Sequence, residues 1–99
     1  GWGMVKTDAE GRYAFTTIKP GAYAVNESWS RPPHIHFKVS RRGFHEITTQ
    51  MYFAGESLNE SDKLLQSVAE DARGLLTVDF QETDGLPHGH FPIVLAKVV

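Results

Sequence analysis

The segment after Pro32 and Pro33 constrains the fold most, because its residues alternate between apolar and polar. The apolar positions are Ile35, Phe37 and Val39. The polar positions between them begin with His34 and His36. Successive side chains of a β-strand point to opposite faces, so this period of two predicts a strand with one buried face. Because proline cannot donate a ladder hydrogen bond, the two prolines mark the entry to that strand.

Other segments also carry strand signals. They are Arg12 to Ile18, His45 to Phe53, Leu76 to Phe80, and Ile93 to Leu95. The turn Arg41-Arg42-Gly43 joins the second of these runs to the strand that contains the histidines, which predicts a β-hairpin. The stretch from Gln81 to Pro92 is rich in Gly, Pro and His and predicts a loop. Short strands and frequent turns are typical of a β-sandwich or barrel.

One stretch, Ser61 to Arg73, has helical spacing, and Gly74 is its predicted stop. A capping box at Ser67 and Glu70 would instead divide it into two short helices. We therefore predict an all-β fold, an antiparallel β-sandwich with one short helical excursion.

Composition limits the size and the class of the protein. The chain has 99 residues, enough for one domain, and a formal net charge of −2. This balance predicts no nucleic-acid or membrane partner, and no apolar run is long enough to cross a bilayer. The absence of cysteine excludes disulfides and thiolate ligands and is compatible with a cytoplasmic location. The chain begins Gly1-Trp2-Gly3, in mid-pattern, so we expect the domain 1–99 to be incomplete at its N-terminus.

His34 and His36 are the strongest candidates for chemistry. Residues at i and i+2 of a strand lie about 6.5–7 Å apart on one face, so both imidazoles can reach one ion at about 2.1 Å. On spacing alone, zinc remains an alternative. Arg31 precedes the pair and could hold an anionic substrate, since guanidinium is a charged fork of donors. His88 and His90 lie among Gly and Pro and are interpreted as loop residues.

Three motifs in this order resemble the intradiol ring-cleaving dioxygenases, and the branch they most resemble is that of the protocatechuate 3,4-dioxygenases. The motifs are Pro20-Gly21-x-Tyr23, Arg31-Pro32-x-His34-Ile35-His36-Phe37 and Thr48-Thr49-Gln50-Met51-Tyr52-Phe53. The similarity extends from about Gly3 to the C-terminus. Ala22 and Ala24 depart from the family, which usually has prolines there.

The resemblance implies a mononuclear non-haem Fe3+ centre with Tyr23, His34 and His36 as three of its ligands. It implies that Arg31 and Gln50 are catalytic residues. The implied substrates are O2 and a catechol-type compound (catechol, protocatechuate or hydroxyquinol), cleaved to a cis,cis-muconate. It also implies a homo- or hetero-oligomer, and a second tyrosine ligand expected some tens of residues before Thr7.

Two alternatives remain at this point. One is a metal-binding but inactive subunit or fragment, because no tyrosine of this chain matches the second tyrosine ligand. The other is a non-catalytic β-sandwich binding module, since the pattern from Thr7 to Tyr23 is shared by many such modules. Arg31 with His34 and His36 distinguishes the enzyme from the module, which has no need of them.

Overall fold

The computed structural model describes residues 2–98. Its elements, in chain order, are strands β1 (Tyr23–Asn26), β2 (Trp29–Arg31), β3 (His34–Val39) and β4 (Ile47–Phe53), a 3₁₀ helix (Ser57–Ser61), helices α1 (Lys63–Gln66) and α2 (Glu70–Leu76), and strands β5 (Thr77–Val78), β6 (Gln81–Thr83) and β7 (Leu86–His88). No helix within this part of the chain is long and apolar enough to cross a bilayer.

The hairpin β3–β4 is the centre of the structure and confirms the predicted strand pair. Its antiparallel register places His34 opposite Tyr52 and His36 opposite Gln50. Strand β5 adds to β4 in parallel, and β1–β2 and β6–β7 form separate two-stranded sheets. The regular elements within residues 2–98 are thus mainly strands with few helices, as predicted. Their sheets are small and separate, so the predicted sandwich is not seen within residues 2–98.

The core lies on the face of β3–β4 opposite the histidines. Its buried members are Met51, Phe53, Val78 and Phe91, with Ile35 and Phe37 packed against them. The Phe37 and Phe91 ring centroids are 5.1 Å apart. Alternation along β3 therefore separates an apolar face, which anchors the sheet, from a polar face that remains available for chemistry.

Two predicted strands are wrong for the described chain. Residues 12–18 carry no strand, although Tyr13 and Phe15 do lie against Phe37, at centroid distances of 6.2 and 5.9 Å. Residues 93–95 also form no strand, and the described residues that follow them take part in an isolated bridge, between Lys97 and Phe44. Alternation predicts which side chains face inward, whereas a strand also requires a partner for its backbone groups.

The remaining differences are local. The helical stretch is divided into α1 and α2, but not by the capping box, because Asp62 caps α1 and Ser67 Oγ donates to the Leu64 carbonyl. The predicted loop 81–92 contains the hairpin β6–β7, whose tight turn uses positive φ angles at Asp84 and Gly85. An Asp-Gly pair is a strong two-residue hairpin signal, because both positions must adopt this conformation.

Candidate active site

The two histidines of β3 converge on one point. The Nε2 atoms of His34 and His36 are 3.2 Å apart, and their ring centroids are 5.0 Å apart. His34 is half-buried and His36 is exposed. Two nitrogens that bind one ion at about 2.1 Å stand about 3.0–3.4 Å apart for angles between octahedral and tetrahedral. The spacing of the pair therefore matches that of two ligands of a single metal ion.

The tautomer of His34 leaves its Nε2 lone pair facing the site. Nδ1 lies 2.8 Å from the Pro32 carbonyl oxygen, which can only accept, so Nδ1 carries the proton. Burial lowers the pKa of His34, and the positive charge of Arg31 lowers it further, which outweighs the opposing Pro32 carbonyl. His34 is thus a neutral imidazole at pH 7, the form that binds metals.

Arg31, at the end of β2, lies beside this pair and is 4% exposed. Its Nη1 is 3.1 Å from His34 Nε2. Its Nη2 donates to Gln50 Oε1 at 2.8 Å and to the Tyr52 hydroxyl at 3.0 Å. Pro32 is fully buried and follows directly, so the restricted backbone between Arg31 and His34 holds the two side chains at this separation.

Asp62 neutralises Arg31 and was not found from the sequence. Its carboxylate accepts from Arg31 Nε at 2.8 Å and from Nη2 at 3.0 Å, and the residue is 0% exposed. Burial opposes its charge, but hydrogen bonds from Arg31, the Leu65 backbone and Tyr52 lower its pKa below the usual value. The hydrogen bond to Asp62 raises the pKa of Arg31 in turn. Both members of the pair are therefore charged at neutral pH.

Tyr52, on β4, is in hydrogen-bond contact with Arg31, Gln50 and Asp62. Its hydroxyl lies 2.9 Å from Asp62 Oδ2 and 3.0 Å from Gln50 Oε1. Burial and the hydrogen bond to Asp62 raise the pKa of Tyr52 to about 12, so the phenol keeps its proton. As a neutral, 2% exposed residue, Tyr52 supports Arg31 rather than presenting a phenolate to the site.

Tyr23 reaches the same site from β1. The β1–β2 register places it opposite Arg31, and its ring centroid is 5.8 Å from that of His34. The side chain is half-exposed. Among residues 2–98 no three His, Cys, Asp or Glu side chains cluster to hold a metal. A ligand set built on His34 and His36 within the described chain therefore needs a donor of another type, such as the Tyr23 phenol.

Comparison with known proteins identifies the family. A family model described as a dioxygenase matches residues 2–96. The chain is 44% identical over 104 residues to the protocatechuate 3,4-dioxygenase beta chain of Burkholderia cepacia, an alignment that covers 96% of this chain and 43% of that one. The chain belongs to the intradiol dioxygenase family.

Other intradiol dioxygenases align with smaller parts of the chain. The chlorocatechol 1,2-dioxygenase of Pseudomonas sp. strain P51 is 38% identical over 74 residues, covering 61% of this chain and 29% of its own. The protocatechuate 3,4-dioxygenase alpha chain of Burkholderia cepacia is 34% identical over 83 residues, an alignment that covers 82% of this chain and 40% of the relative. The chain thus spans less than half the length of these relatives.

The structure brings together all the site residues that the sequence of this intradiol dioxygenase chain suggested. They are Tyr23, Arg31, His34, His36 and Gln50. Their roles as ligands and catalytic groups stay predictions. His88 and His90 are exposed, and His88 ends β7 instead of lying in a loop. Asp62 precedes a helical run and is a recognisable N-cap, but only the tertiary structure brings it to Arg31.

Proposed function

We propose that the protein carrying this chain is an Fe3+-dependent enzyme that cleaves a catechol-type ring with O2 between its two hydroxylated carbons, giving a cis,cis-muconate. The observation that carries the proposal is the convergence of the His34 and His36 Nε2 atoms, 3.2 Å apart, beside Arg31 and Tyr23. It occurs in a chain of a family whose relatives are named for protocatechuate and chlorocatechol.

The donor set fits ferric iron. Imidazole nitrogen suits iron as well as zinc, and a phenolate is a hard, anionic ligand that favours the 3+ charge. The Nε2 lone pair of His34 faces the point at which the two rings converge, 3.2 Å from His36 Nε2. Fe3+ would be held there by the two imidazoles in the neutral form that binds metals. We propose Tyr23, His34 and His36 as the ligands.

Bound Fe3+ supplies Lewis-acid activation of the catecholate toward O2. The chain supplies the surroundings of that reaction. Arg31 Nη1 points at His34 Nε2, so its N–H groups can donate to a substrate oxygen at the metal and stabilise negative charge there. Gln50 Oε1 accepts from Arg31 Nη2 and helps to hold that orientation. We therefore propose Arg31 as the charge-stabilising catalytic residue, with Gln50 beside it.

The finer features of the whole protein are part of the same proposal. We propose a catechol, a protocatechuate or a hydroxyquinol as substrate. We propose that residues 1–99 belong to one iron-binding β-sandwich, and that the protein is cytoplasmic. Since the relatives include alpha and beta chains of one enzyme, we propose assembly into an oligomer.

The test uses the full-length protein that contains this chain, purified and reconstituted with Fe3+. We expect a burgundy colour from tyrosinate-to-iron charge transfer, which Tyr23→Phe abolishes or shifts. His36→Ala should lose bound iron, while His90→Ala, an exposed control, should retain it. Iron content that is unchanged in His36→Ala would contradict the ligand assignment.

Oxygen uptake separates the candidate functions. Bleaching of the colour by catechols together with O2 consumption supports the enzyme. Catechol binding without O2 uptake favours the metal-binding but inactive subunit. A protein that stays colourless and metal-free after reconstitution favours the non-catalytic binding module, and a colourless protein that binds zinc favours the zinc alternative.

A further inference from the structure

The Asp62 carboxylate binds one edge of the Arg31 guanidinium through two hydrogen bonds. The two carboxylate oxygens accept from Nε at 2.8 Å and from Nη2 at 3.0 Å, the paired geometry in which a planar guanidinium is most strongly oriented. The Arg31 side chain is 5% exposed and that of Asp62 is 0% exposed, so water does not compete for either partner.

The five N–H groups of Arg31 can be followed individually. Those on Nε and Nη2 donate to Asp62, and Nη2 also reaches Gln50 Oε1 and the Tyr52 hydroxyl. Nη1 is the nitrogen left for the site, and it lies 3.1 Å from His34 Nε2. Because His34 Nε2 gives its lone pair to any ion bound there, the N–H groups of Nη1 then become free to donate to a ligand of that ion.

Asp62 is itself held in place. Its Oδ2 accepts from the Leu65 backbone N–H at 3.0 Å, which caps α1, and from the Tyr52 hydroxyl at 2.9 Å. Gln50 and Tyr52 are neutral, and each meets Arg31 only through Nη2. Asp62 is thus the partner that fixes the rotation of the guanidinium plane, because it alone among these acceptors binds both Nε and Nη2.

We propose that Asp62 is a positioning residue that directs the Nη1 edge of Arg31 toward the His34–His36 centre. This inference rests on the proposed function, in which Arg31 acts on a substrate at that centre. Asp62 does not touch the substrate. It also makes the buried pair neutral overall, so Arg31 contributes oriented donors rather than an uncompensated charge.

The first test needs neither metal nor substrate. In the metal-free full-length protein, ¹⁵N NMR of arginine side chains should show a resolved, slowly exchanging Nε–H signal for Arg31, assigned by its loss in Arg31→Lys. Asp62→Asn should broaden or remove this signal. Asp71→Asn, which changes an exposed carboxylate of α2, should leave it unchanged. A signal that survives in Asp62→Asn overturns the proposal.

The second test is kinetic and uses the iron-loaded enzyme. We expect Asp62→Asn to lower kcat by about 10- to 100-fold, the effect of misplacing a catalytic group by about 1 Å, with iron content and visible spectrum unchanged. If Asp62 acts through Arg31, the double variant Arg31→Lys/Asp62→Asn should have the kcat of Arg31→Lys alone. Independent, multiplying losses would overturn the proposal, since a merely structural residue produces them.

A conservative variant keeps the test decisive if Asp62→Asn does not fold. Asp62→Glu retains the charge but moves the carboxylate by one methylene, so it should preserve the fold, shift the Arg31 signal and lower kcat. An Asp62→Glu protein with wild-type signal and wild-type kcat overturns the proposal. An iron-loaded wild-type protein without ring cleavage would contradict the proposed function instead, and the NMR comparison would still decide whether Asp62 holds Arg31.

Discussion

Asp62→Ala offers the most quantitative test of the buried network, through its effect on the free energy of unfolding. The substitution leaves the Arg31 charge buried, with a side-chain exposure of 5%, and without its anionic partner. Breaking a buried ion pair from one side costs about 3–5 kcal/mol. Solvent screening does not reduce this value, because Asp62 is 0% exposed. The substitution also removes the α1 cap, because the oxygen that binds Arg31 Nη2 also accepts from the Leu65 N–H, so about 4 kcal/mol is a lower estimate of the loss.

The assay is urea unfolding of the metal-free, full-length protein followed by circular dichroism. Metal is removed because an ion bound to the native state would stabilise it and mask the difference. With a slope of about 2 kcal/mol per molar urea, a loss of about 4 kcal/mol lowers the midpoint by about 2 M. Asp71→Ala, an exposed carboxylate in α2, is the matched control and should change stability by less than about 0.5 kcal/mol.

Two results would refute this reasoning. One is a loss of unfolding free energy in Asp62→Ala that lies within about 1 kcal/mol of the loss in Asp71→Ala. It would mean that the Arg31–Asp62 pair contributes no more than an exposed ion pair does. The other comes from Arg31→Met/Asp62→Leu, which removes both charges and fills their volume. That double variant should be more stable than Asp62→Ala, because it leaves no unpaired buried charge. A double variant less stable than the single one would contradict the argument.

Three further outcomes are expected of the metal-free protein. The pKa of Asp62 in the folded state lies below its usual value of 3.8. The contribution of Asp62 to the free energy of unfolding is therefore complete above about pH 4, and it is lost as the pH falls through the folded-state pKa. When the free energy of unfolding is measured as the pH is lowered over that range, Asp62→Asn should lose less of it than the wild type. Equal losses in the two proteins would contradict the lowered pKa of Asp62. Tyr52, with a pKa raised to about 12, should stabilise the fold fully below about pH 10 and lose this effect as the pH approaches 12. In Tyr52→Phe the free energy of unfolding should not show this loss between about pH 10 and pH 12. A profile unchanged from the wild type would mean that Tyr52 is not the group responsible. Gly89→Ala should cost about 1–3 kcal/mol in urea, because its Cβ would lie 2.7 Å from the Phe80 ring; Gly21→Ala, in open space, is the control, and equal stability of the two would refute the clash.

Much of the site could be predicted because its signals are local. The spacing of His34 and His36 on one strand puts both imidazoles on one face whatever the rest of the fold does. The order of the motifs around Tyr23, Arg31 and Gln50 identified the family, which the comparisons confirm. The hairpin β3–β4 followed from two alternating runs joined by a short turn, and its register places Gln50 across from His36.

What the sequence alone could not decide depends on contacts between distant segments. Asp62 lies 31 positions from Arg31, inside the helical stretch that the sequence predicts for residues 61–73; the packing of the 3₁₀ helix Ser57–Ser61 against β2 brings it to Arg31 as its anionic partner. Residues 12–18 alternate as a strand does, yet their backbone has no strand partner in the described chain. Local pattern therefore determined which side chains share a face, while pairing, burial and charge compensation were decided by tertiary structure, because each of them requires a second segment of the chain.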